Sequence, residues 1–120
     1  MDNCIFCKIA NGEIPSRTIY EDEIVKAYLD INPTSTGHTL IIPKKHFTDL
    51  DDIDLETITH IMKVAKEIKK LLEDKLEVKG IKLLQNNGVF QDVKHYHLHL
   101  IPDCNVPKKE LDEVLEILTK

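Results

Sequence analysis

The 120-residue sequence has little glycine and proline, with four and five residues respectively, while 42% of it is hydrophobic. These proportions exclude a fibrous or disordered chain and favour one packed domain over residues 1–120. No apolar run approaches the roughly 20 residues that cross a bilayer. The start of the chain has neither the basic flank nor the apolar stretch of a secretory signal. We therefore expect a cytoplasmic protein with no membrane partner.

Positive charge is also scarce, because 16 lysines and arginines stand against 21 aspartates and glutamates, which gives a formal net charge of −5. A long polyanion would be repelled, so no nucleic-acid polymer is expected as a partner. A disulfide scaffold needs an even number of cysteines and an oxidising compartment, whereas this chain has three cysteines and is expected in the cytoplasm. A metal site or free thiols are therefore expected instead of a disulfide scaffold. Histidine is the unusual residue, since three of the six lie within five positions, at His95, His97 and His99.

The hydrophobic pattern predicts an α+β fold: an antiparallel sheet of about five strands with one long central helix and a C-terminal helix. The long helix is expected from Leu55 to Leu76, where apolar residues recur at three- and four-residue steps, and Gly80 is expected to end that segment. A second amphipathic segment covers 107–118. Strands are expected over 17–21, 24–30, 38–42, 80–86 and 93–101.

The histidine cluster is expected on the last of these strands, where side chains alternate between the two faces. The three imidazoles would then share one face, about 6.6 Å apart at each step. Tyr96, Leu98 and Leu100 would take the other face and pack beneath the long helix. Two alternatives are a histidine-rich surface strand without a function and a metal site, since two histidines at i and i+2 on a strand can chelate zinc.

The same segment resembles the signature of the histidine-triad superfamily, His-x-His-x-His followed by two apolar residues, here at 95–101. The resemblance covers most of residues 4–102 and indicates the nucleotide-binding branch, which includes purine nucleoside phosphoramidases, in its bacterial zinc-containing type. Its further matches lie, in order, at 4–9, Ile14-Pro15, 30–33 and 37–46.

This resemblance implies a hydrolase or transferase that cleaves at the α-phosphate of purine nucleotide derivatives, either nucleoside phosphoramidates or dinucleoside polyphosphates. His97 matches the nucleophile, and a neutral imidazole offers a nitrogen lone pair for a nucleotidyl-histidine intermediate. His99 matches the third catalytic histidine, which donates to the phosphate or to the leaving-group oxygen, and His38 matches a fourth histidine that lines the same catalytic site. The resemblance implies no cofactor for the chemical step, and it implies a homodimer formed through the long helix and a sheet edge.

The nucleotide-binding residues also follow from the resemblance. Asp30 matches a carboxylate that binds the ribose, and Asn86 matches an asparagine near the phosphate. The other implied residues surround the base or the phosphate, and they are Ile5, Phe6, Ile9, Ile14, Tyr28, Leu29, Ile31, Gln91, Asp92 and Val93, together with His97 and His99.

Cys4 and Cys7 have the spacing of a zinc knuckle, which needs two further ligands. In the zinc-containing members, these ligands are the histidine that ends a Pro-Lys-x-His segment and the first histidine of the triad. The corresponding residues here are His46 and His95. The resemblance thus implies one closed, structural zinc site per chain, which removes His95 from the catalytic residues. Cys104 is expected to be a free thiol.

The segment before the triad departs from the family pattern. Where the family has Gly-Gln-Ser, this chain has Phe90, Gln91 and Asp92, and the segment is two residues shorter. Asp92 would put a carboxylate near the phosphate, so either it turns away or the leaving group presents a cation. Asp103 stands where bacterial members commonly carry arginine.

Two other functions stay open. The first is a nucleotide-binding or interaction module with little turnover, with which the altered segment at 90–92 is consistent. A hydrolase in which His95, His97 and His99 ligate a catalytic metal is the second alternative. A mild chelator would inactivate that hydrolase, whereas a reaction on His97 needs no metal in the chemical step.

Overall fold

A five-stranded antiparallel sheet forms the centre of the structure, a computed structural model that describes residues 3–120. The spatial order of the strands is β1-β2-β3-β5-β4, so β1 and β4 form the two edges. This sheet confirms the predicted α+β fold. Its strands are β1 (Thr18–Glu21), β2 (Val25–Leu29), β3 (Thr39–Pro43), β4 (Ile81–Leu84) and β5 (Leu98–Pro102).

The long helix begins where the sequence predicts it and covers the periodic apolar residues. Helix α2 spans Leu55–Leu76, and the carboxylate of Asp54 caps its start by accepting a hydrogen bond from the Thr57 N–H at 3.1 Å. The predicted end at Gly80 is wrong. The helix ends at Leu76 because Glu77 adopts a left-handed backbone with φ 56°, which breaks the helical hydrogen-bond series.

Two shorter helices lie at the ends of the chain. Helix α3 covers Leu111–Thr119, so it begins four residues after the start of the predicted segment at 107–118 and ends one residue beyond it. Helix α1 covers Ile5–Ala10 and was not predicted, because six residues are too few to show a helical period. The Cys4 sulfur caps α1 by accepting a hydrogen bond from the Cys7 N–H at 3.4 Å. None of the helices described over residues 3–120 is long and apolar enough to span a membrane.

The main core lies between the sheet and α2. Alternate residues of each strand point to this side, so Leu72 of α2 packs in one cluster with Leu98 and Leu100 of β5 and with Tyr96. This confirms the predicted packing of the triad segment beneath the long helix. Truncation of a fully buried residue such as Leu72 to alanine is expected to cost about 2–5 kcal/mol.

A smaller core holds α1 on the opposite face of the sheet. Phe6 and Ile9 of α1 pack there against Tyr28 of β2 and Leu40 of β3, which alternate along their strands with residues of the main core. The sheet therefore separates α2 on one face from α1 on the other.

Strand β5 begins at Leu98, so the predicted strand over 93–101 is too long at its start. The backbone before it has other partners, since the Tyr96 N–H donates to the Phe47 carbonyl at 2.7 Å. Only His99 of the three clustered histidines lies on the strand. The prediction that all three share one strand face is therefore wrong.

Candidate active site

A cavity of about 590 Å³ lies on the α1 side of the sheet, within the usual size of small-molecule sites. It is bounded by α1, by the ends of β2 and β5, and by the segment before β5. Most of the predicted nucleotide-binding residues line it: Ile5, Phe6, Ile9, Ile14, Tyr28, Leu29, Asp30, Ile31, Asp92, Val93, His97 and His99. The structure thus brings together residues from across the chain at one cavity.

Two of the predicted nucleotide-binding residues are not at the cavity wall. Asn86 and Gln91 are absent from the lining. The Gln91 side chain is buried and its amide nitrogen donates to the Thr48 carbonyl at 2.7 Å, so it holds the loop before α2 instead of a phosphate. A 3₁₀ turn at Gly88–Phe90 directly precedes Gln91 and leaves Phe90 exposed to solvent.

The cavity also contains residues that the sequence did not indicate. Arg17 donates to Asp112 of α3 at 2.8 Å, and both side chains line the cavity. No motif signals this ion pair, because its partners are 95 positions apart in the chain. The remaining additions to the lining are Pro15, Ser16, Asn32 and Leu40.

His97 is buried, and its two ring nitrogens have different surroundings. Nδ1 lies 2.7 Å from the carbonyl oxygen of His95. A carbonyl only accepts, so Nδ1 carries the proton and the neutral ring keeps a lone pair on Nε2. The Phe6 ring packs edge-on against the imidazole, with 4.9 Å between ring centroids, and fixes its orientation. Nε2 lies 3.7 Å from Oδ1 of Asp92, which also lines the cavity.

His38 and His99 form a hydrogen-bonded chain behind this ring. The Thr34 N–H donates to Nδ1 of His38 at 3.0 Å, so the proton of the neutral His38 ring is on Nε2. That proton is donated to Nδ1 of His99 at 2.9 Å. The proton of His99 is therefore on Nε2, and His99 lines the cavity.

Both of these rings are neutral at neutral pH. Burial lowers the pKa of His38. Burial also lowers the pKa of His99, to about 4, with a further contribution from the neighbouring His97 and His38. The site therefore offers an N–H donor on His99 beside a lone pair on His97.

Asp30, His38 and His99 also have ligand atoms within 4.8 Å of one another, a spacing that suits a metal ion. The hydrogen bond from Thr34 opposes that use. A metal on Nε2 of His38 would leave the ring proton on Nδ1, facing the Thr34 N–H. The geometry therefore favours the hydrogen-bonded chain over a metal at these three side chains.

A second cluster lies next to His97 and contains Cys4, Cys7, His46 and His95, whose ligand atoms lie within 4.8 Å of one another. Nδ1 of His95 is 3.4 Å from the Cys4 sulfur and 3.5 Å from the Cys7 sulfur, and Nδ1 of His46 is 3.2 Å from the Cys7 sulfur. Tetrahedral zinc places sulfur and nitrogen ligands about 3.5 Å apart. The four predicted ligands therefore fit a zinc ion.

The surroundings of this cluster also suit a metal. Nε2 of His95 donates to the Pro43 carbonyl at 2.8 Å, the kind of contact that orients a histidine ligand. Burial and the adjacent Cys4 raise the pKa of the Cys7 thiol to about 11, so a metal must displace its proton to bind.

His95 cannot join His97 and His99 around one catalytic metal. Its Nδ1 faces the two thiols and its Nε2 is used by Pro43, so neither nitrogen points at the cavity. Nδ1 of His97 is likewise used by the His95 carbonyl. The hypothesis of a catalytic metal on the three histidines is therefore not supported.

Two departures from the family pattern have distinct structural outcomes. Asp92 does not turn away, since its carboxylate lies at the cavity beside His97. Asp103 is not in the cavity lining. Its Oδ1 accepts hydrogen bonds from the Lys79 and Gly80 N–H groups at 2.9 and 3.1 Å, which tie the start of β4 to the end of β5.

An α+β fold with an antiparallel sheet and closely spaced histidines at an apolar cavity is the arrangement that defines the class of histidine-triad proteins. Residues 11–106 match the HIT domain family, and the chain belongs to that family. The resemblance deduced from the sequence is thus confirmed.

Three comparisons illustrate the relationship. An uncharacterized HIT-like protein of Methanocaldococcus jannaschii is 44% identical in an alignment of 125 positions that covers 94% of this chain and 96% of that protein. The adenosine 5'-monophosphoramidase of Saccharomyces cerevisiae is 48% identical over 101 residues, 82% of this chain and 61% of that enzyme. A Zn-bound histidine triad family protein from Mycobacterium smegmatis has a TM-score of 0.90 at 35% identity, covering 98% of this chain and 91% of its own.

Proposed function

We propose that the protein is a nucleotidyl hydrolase or transferase that cleaves at the α-phosphate of purine nucleotide derivatives, nucleoside phosphoramidates or dinucleoside polyphosphates. The observation that carries this proposal is the hydrogen bond from His97 Nδ1 to the His95 carbonyl, which leaves the Nε2 lone pair free at the cavity. The name of the yeast relative, an adenosine 5'-monophosphoramidase, supports the substrate class.

The nucleoside is proposed to bind in the apolar part of the cavity. Ile5 and Ile31 line the cavity and are 47% and 70% exposed, so a purine ring between them would remove apolar surface from water. Asp30 lines the same cavity and offers carboxylate oxygens to the two ribose hydroxyls. The base is expected to stack near Phe6, which also packs against His97.

The first chemical step is proposed to be attack of the His97 Nε2 lone pair on the α-phosphorus. The bond from phosphorus to the leaving nitrogen or oxygen breaks with its electron pair, and the leaving atom takes a proton from water. The Nε2–H of His99 donates to the phosphoryl oxygens, where negative charge develops. His97 keeps its Nδ1 proton and becomes a nucleotidyl-imidazolium, whose positive charge the His95 carbonyl stabilises.

The second step returns the enzyme to its starting state. The hydroxide left by the first step attacks the phosphorus, and the phosphorus–Nε2 bond breaks with its electron pair returning to His97. The sum of the two steps consumes one water and releases a nucleoside monophosphate and the leaving group. A difficult displacement is thereby divided into two easier ones.

We also propose that Cys4, Cys7, His46 and His95 hold one structural zinc ion per chain. Four protein ligands leave no open coordination position, so the ion would supply a cross-link and no step of the reaction. It would join the start of α1 to the loop after β3 and to the segment before β5. The Zn-bound relative from Mycobacterium smegmatis supports this site.

A homodimer through the long helix and a sheet edge is part of the proposal. Strand β4 is an edge strand, and its Leu83 and Leu84 are 48% and 44% exposed. Leu55 and Met62 of α2 are also exposed, at 79% and 41%. Sedimentation analysis of the wild type and of Leu84→Lys tests this assembly, and a monomeric wild type at micromolar concentration would contradict it.

A binding module with little turnover is the second candidate, and the observation that favours it is the carboxylate of Asp92 at 3.7 Å from the attacking nitrogen. That negative charge disfavours an approaching phosphate.

The deciding experiment incubates the protein with an adenosine phosphoramidate and follows release of the monophosphate, with and without a mild chelator. Turnover that survives the chelator is expected. Binding of the nucleotide without release of product would establish the module instead, and immediate loss of activity with the chelator would indicate a catalytic metal.

A further inference from the structure

We propose that Asp92 determines the leaving-group specificity of this site: it selects substrates with a positively charged leaving group over those with a negatively charged one. This inference rests on the proposed transfer of a nucleotidyl group to His97. It concerns a residue at which this chain departs from the family pattern.

The position of Asp92 brings its charge next to the reacting atoms. Its Oδ1 lies 3.7 Å from Nε2 of His97, and a reacting phosphorus must come within about 3–3.5 Å of the same nitrogen. The Asp92 side chain is 83% exposed, and within residues 3–120 no hydrogen bond anchors it. The carboxylate can therefore rotate away from an entering phosphate, but its backbone keeps it within a few ångströms of the phosphoryl group.

The rest of the cavity does not neutralise this charge. Among the described lining residues the acids are Asp30, Asp92 and Asp112, and the one lysine or arginine is Arg17, which is paired with Asp112. Lys94 lines a neighbouring cavity together with Asp92, but its Nζ donates to the Gly88 carbonyl at 2.6 Å. A leaving group that carries further phosphates or a carboxylate would therefore meet Asp92 with no free cation among the described residues of the cavity lining.

A cationic leaving group experiences the opposite effect. An ammonium group beyond the α-phosphate is attracted by Asp92, whereas a neutral leaving group is unaffected. In water-like surroundings a unit charge a few ångströms away changes a rate by about three- to fivefold. A change of leaving-group charge from +1 to −1 is therefore expected to lower kcat/KM by about tenfold.

The test uses three adenosine phosphoramidates with the same kind of phosphorus–nitrogen bond and primary alkyl amines as leaving groups: putrescine (cationic tail), pentylamine (neutral tail) and γ-aminobutyrate (anionic tail). The wild type is expected to prefer them in that order. Asp92→Asn keeps the size of the side chain and removes its charge, so its three kcat/KM values are expected to agree within about twofold.

A matched control removes a negative charge elsewhere. Glu23 lies at the β1–β2 turn, seven residues from Asp30 along the extended β2, which corresponds to about 20 Å. Glu23→Gln should keep the wild-type order of the three substrates. Added salt should reduce the selectivity of the wild type, because it screens an exposed charge.

The possible results separate this inference from the function on which it depends. Equal kcat/KM values for the three substrates in the wild type, or the same order in wild type and Asp92→Asn, would overturn the role of Asp92 and leave the His97 reaction standing. No monophosphate from any of the three substrates would contradict the proposed function itself.

Discussion

His95 and His97 are two residues apart, yet their ring nitrogens have different partners. Both nitrogens of His95 are occupied, one at the two thiols and the other at the Pro43 carbonyl. His97 uses one nitrogen for the His95 carbonyl and keeps the other at the cavity. The two histidines thus differ in how many ring nitrogens they leave free at the cavity. His95 leaves none and suits a structural metal, whereas His97 leaves one and suits catalysis.

The first prediction removes the free nitrogen. His97→Ala is expected to lower kcat/KM for an adenosine phosphoramidate by about 10⁴-fold or more, because no other group replaces the nucleophile. Its zinc content and its affinity for AMP, measured by elemental analysis and calorimetry, should stay close to those of the wild type. A variant that keeps its turnover would remove His97 from the chemistry.

The second prediction disturbs the metal cluster. Cys4→Ser removes one ligand and is expected to lower the zinc content below one ion per chain. The free energy of unfolding should fall by roughly 3 kcal/mol, in the upper part of the range for single substitutions. The rate should change much less than in His97→Ala.

A matched control for that experiment is Cys104→Ser, because Cys104 is an exposed free thiol. It should leave both the zinc content and the urea unfolding curve unchanged. Metal-free wild-type protein, purified without chelator, would refute the zinc site.

The third prediction concerns the chain of hydrogen bonds behind the reactive ring. His38→Leu removes the donor that keeps the His99 proton on Nε2, so kcat is expected to fall by about 10²-fold with a smaller change in KM. His38→Gln retains an amide donor and should recover part of the loss. Equal rates for the leucine and glutamine variants would show that His38 only fills space.

The fourth prediction is a pH dependence of stability. Burial holds the pKa of His99 at about 4 and lowers that of His38, whereas an unfolded histidine titrates near 6.5. Below about pH 6.5 the unfolded chain therefore binds more protons, and stability falls as the pH decreases towards 4.

His99→Asn removes one of these groups and should show a shallower decrease. Urea unfolding of both proteins at about pH 7 and about pH 5 measures the difference, since the Cys4, Cys7, His46 and His95 cluster is the same in both. Parallel decreases in the two proteins would contradict the assignment.

The sequence was sufficient for the features that depend on long periodic patterns. Helix α2 covers the predicted periodic residues, because apolar residues repeat over six turns and its buried face is continuous, whereas its end at Glu77 was not predicted. The four residues of the Cys4, Cys7, His46 and His95 cluster and most of the cavity residues were also predicted, but through the family resemblance. The single domain, the cytoplasmic location and the absence of a nucleic-acid partner stay predictions from composition.

Features that depend on tertiary contacts were not predictable from the sequence. The start of β5 depends on a hydrogen bond between Tyr96 and Phe47, which are distant in sequence. The Arg17–Asp112 ion pair at the cavity likewise joins two residues that are distant in sequence. Gln91 matched a residue of the phosphate site by alignment, but its side chain donates to the Thr48 carbonyl and does not line the cavity.

The most direct test of the account is to trap the intermediate on His97. Wild-type protein is mixed with an adenosine phosphoramidate, quenched in alkali and analysed by intact mass and by peptide mapping. We predict an adenylyl adduct on the peptide that contains His97, absent from His97→Ala, together with released monophosphate. Release of monophosphate without an adduct under rapid quench, or an adduct that persists in His97→Ala, would contradict the central claim.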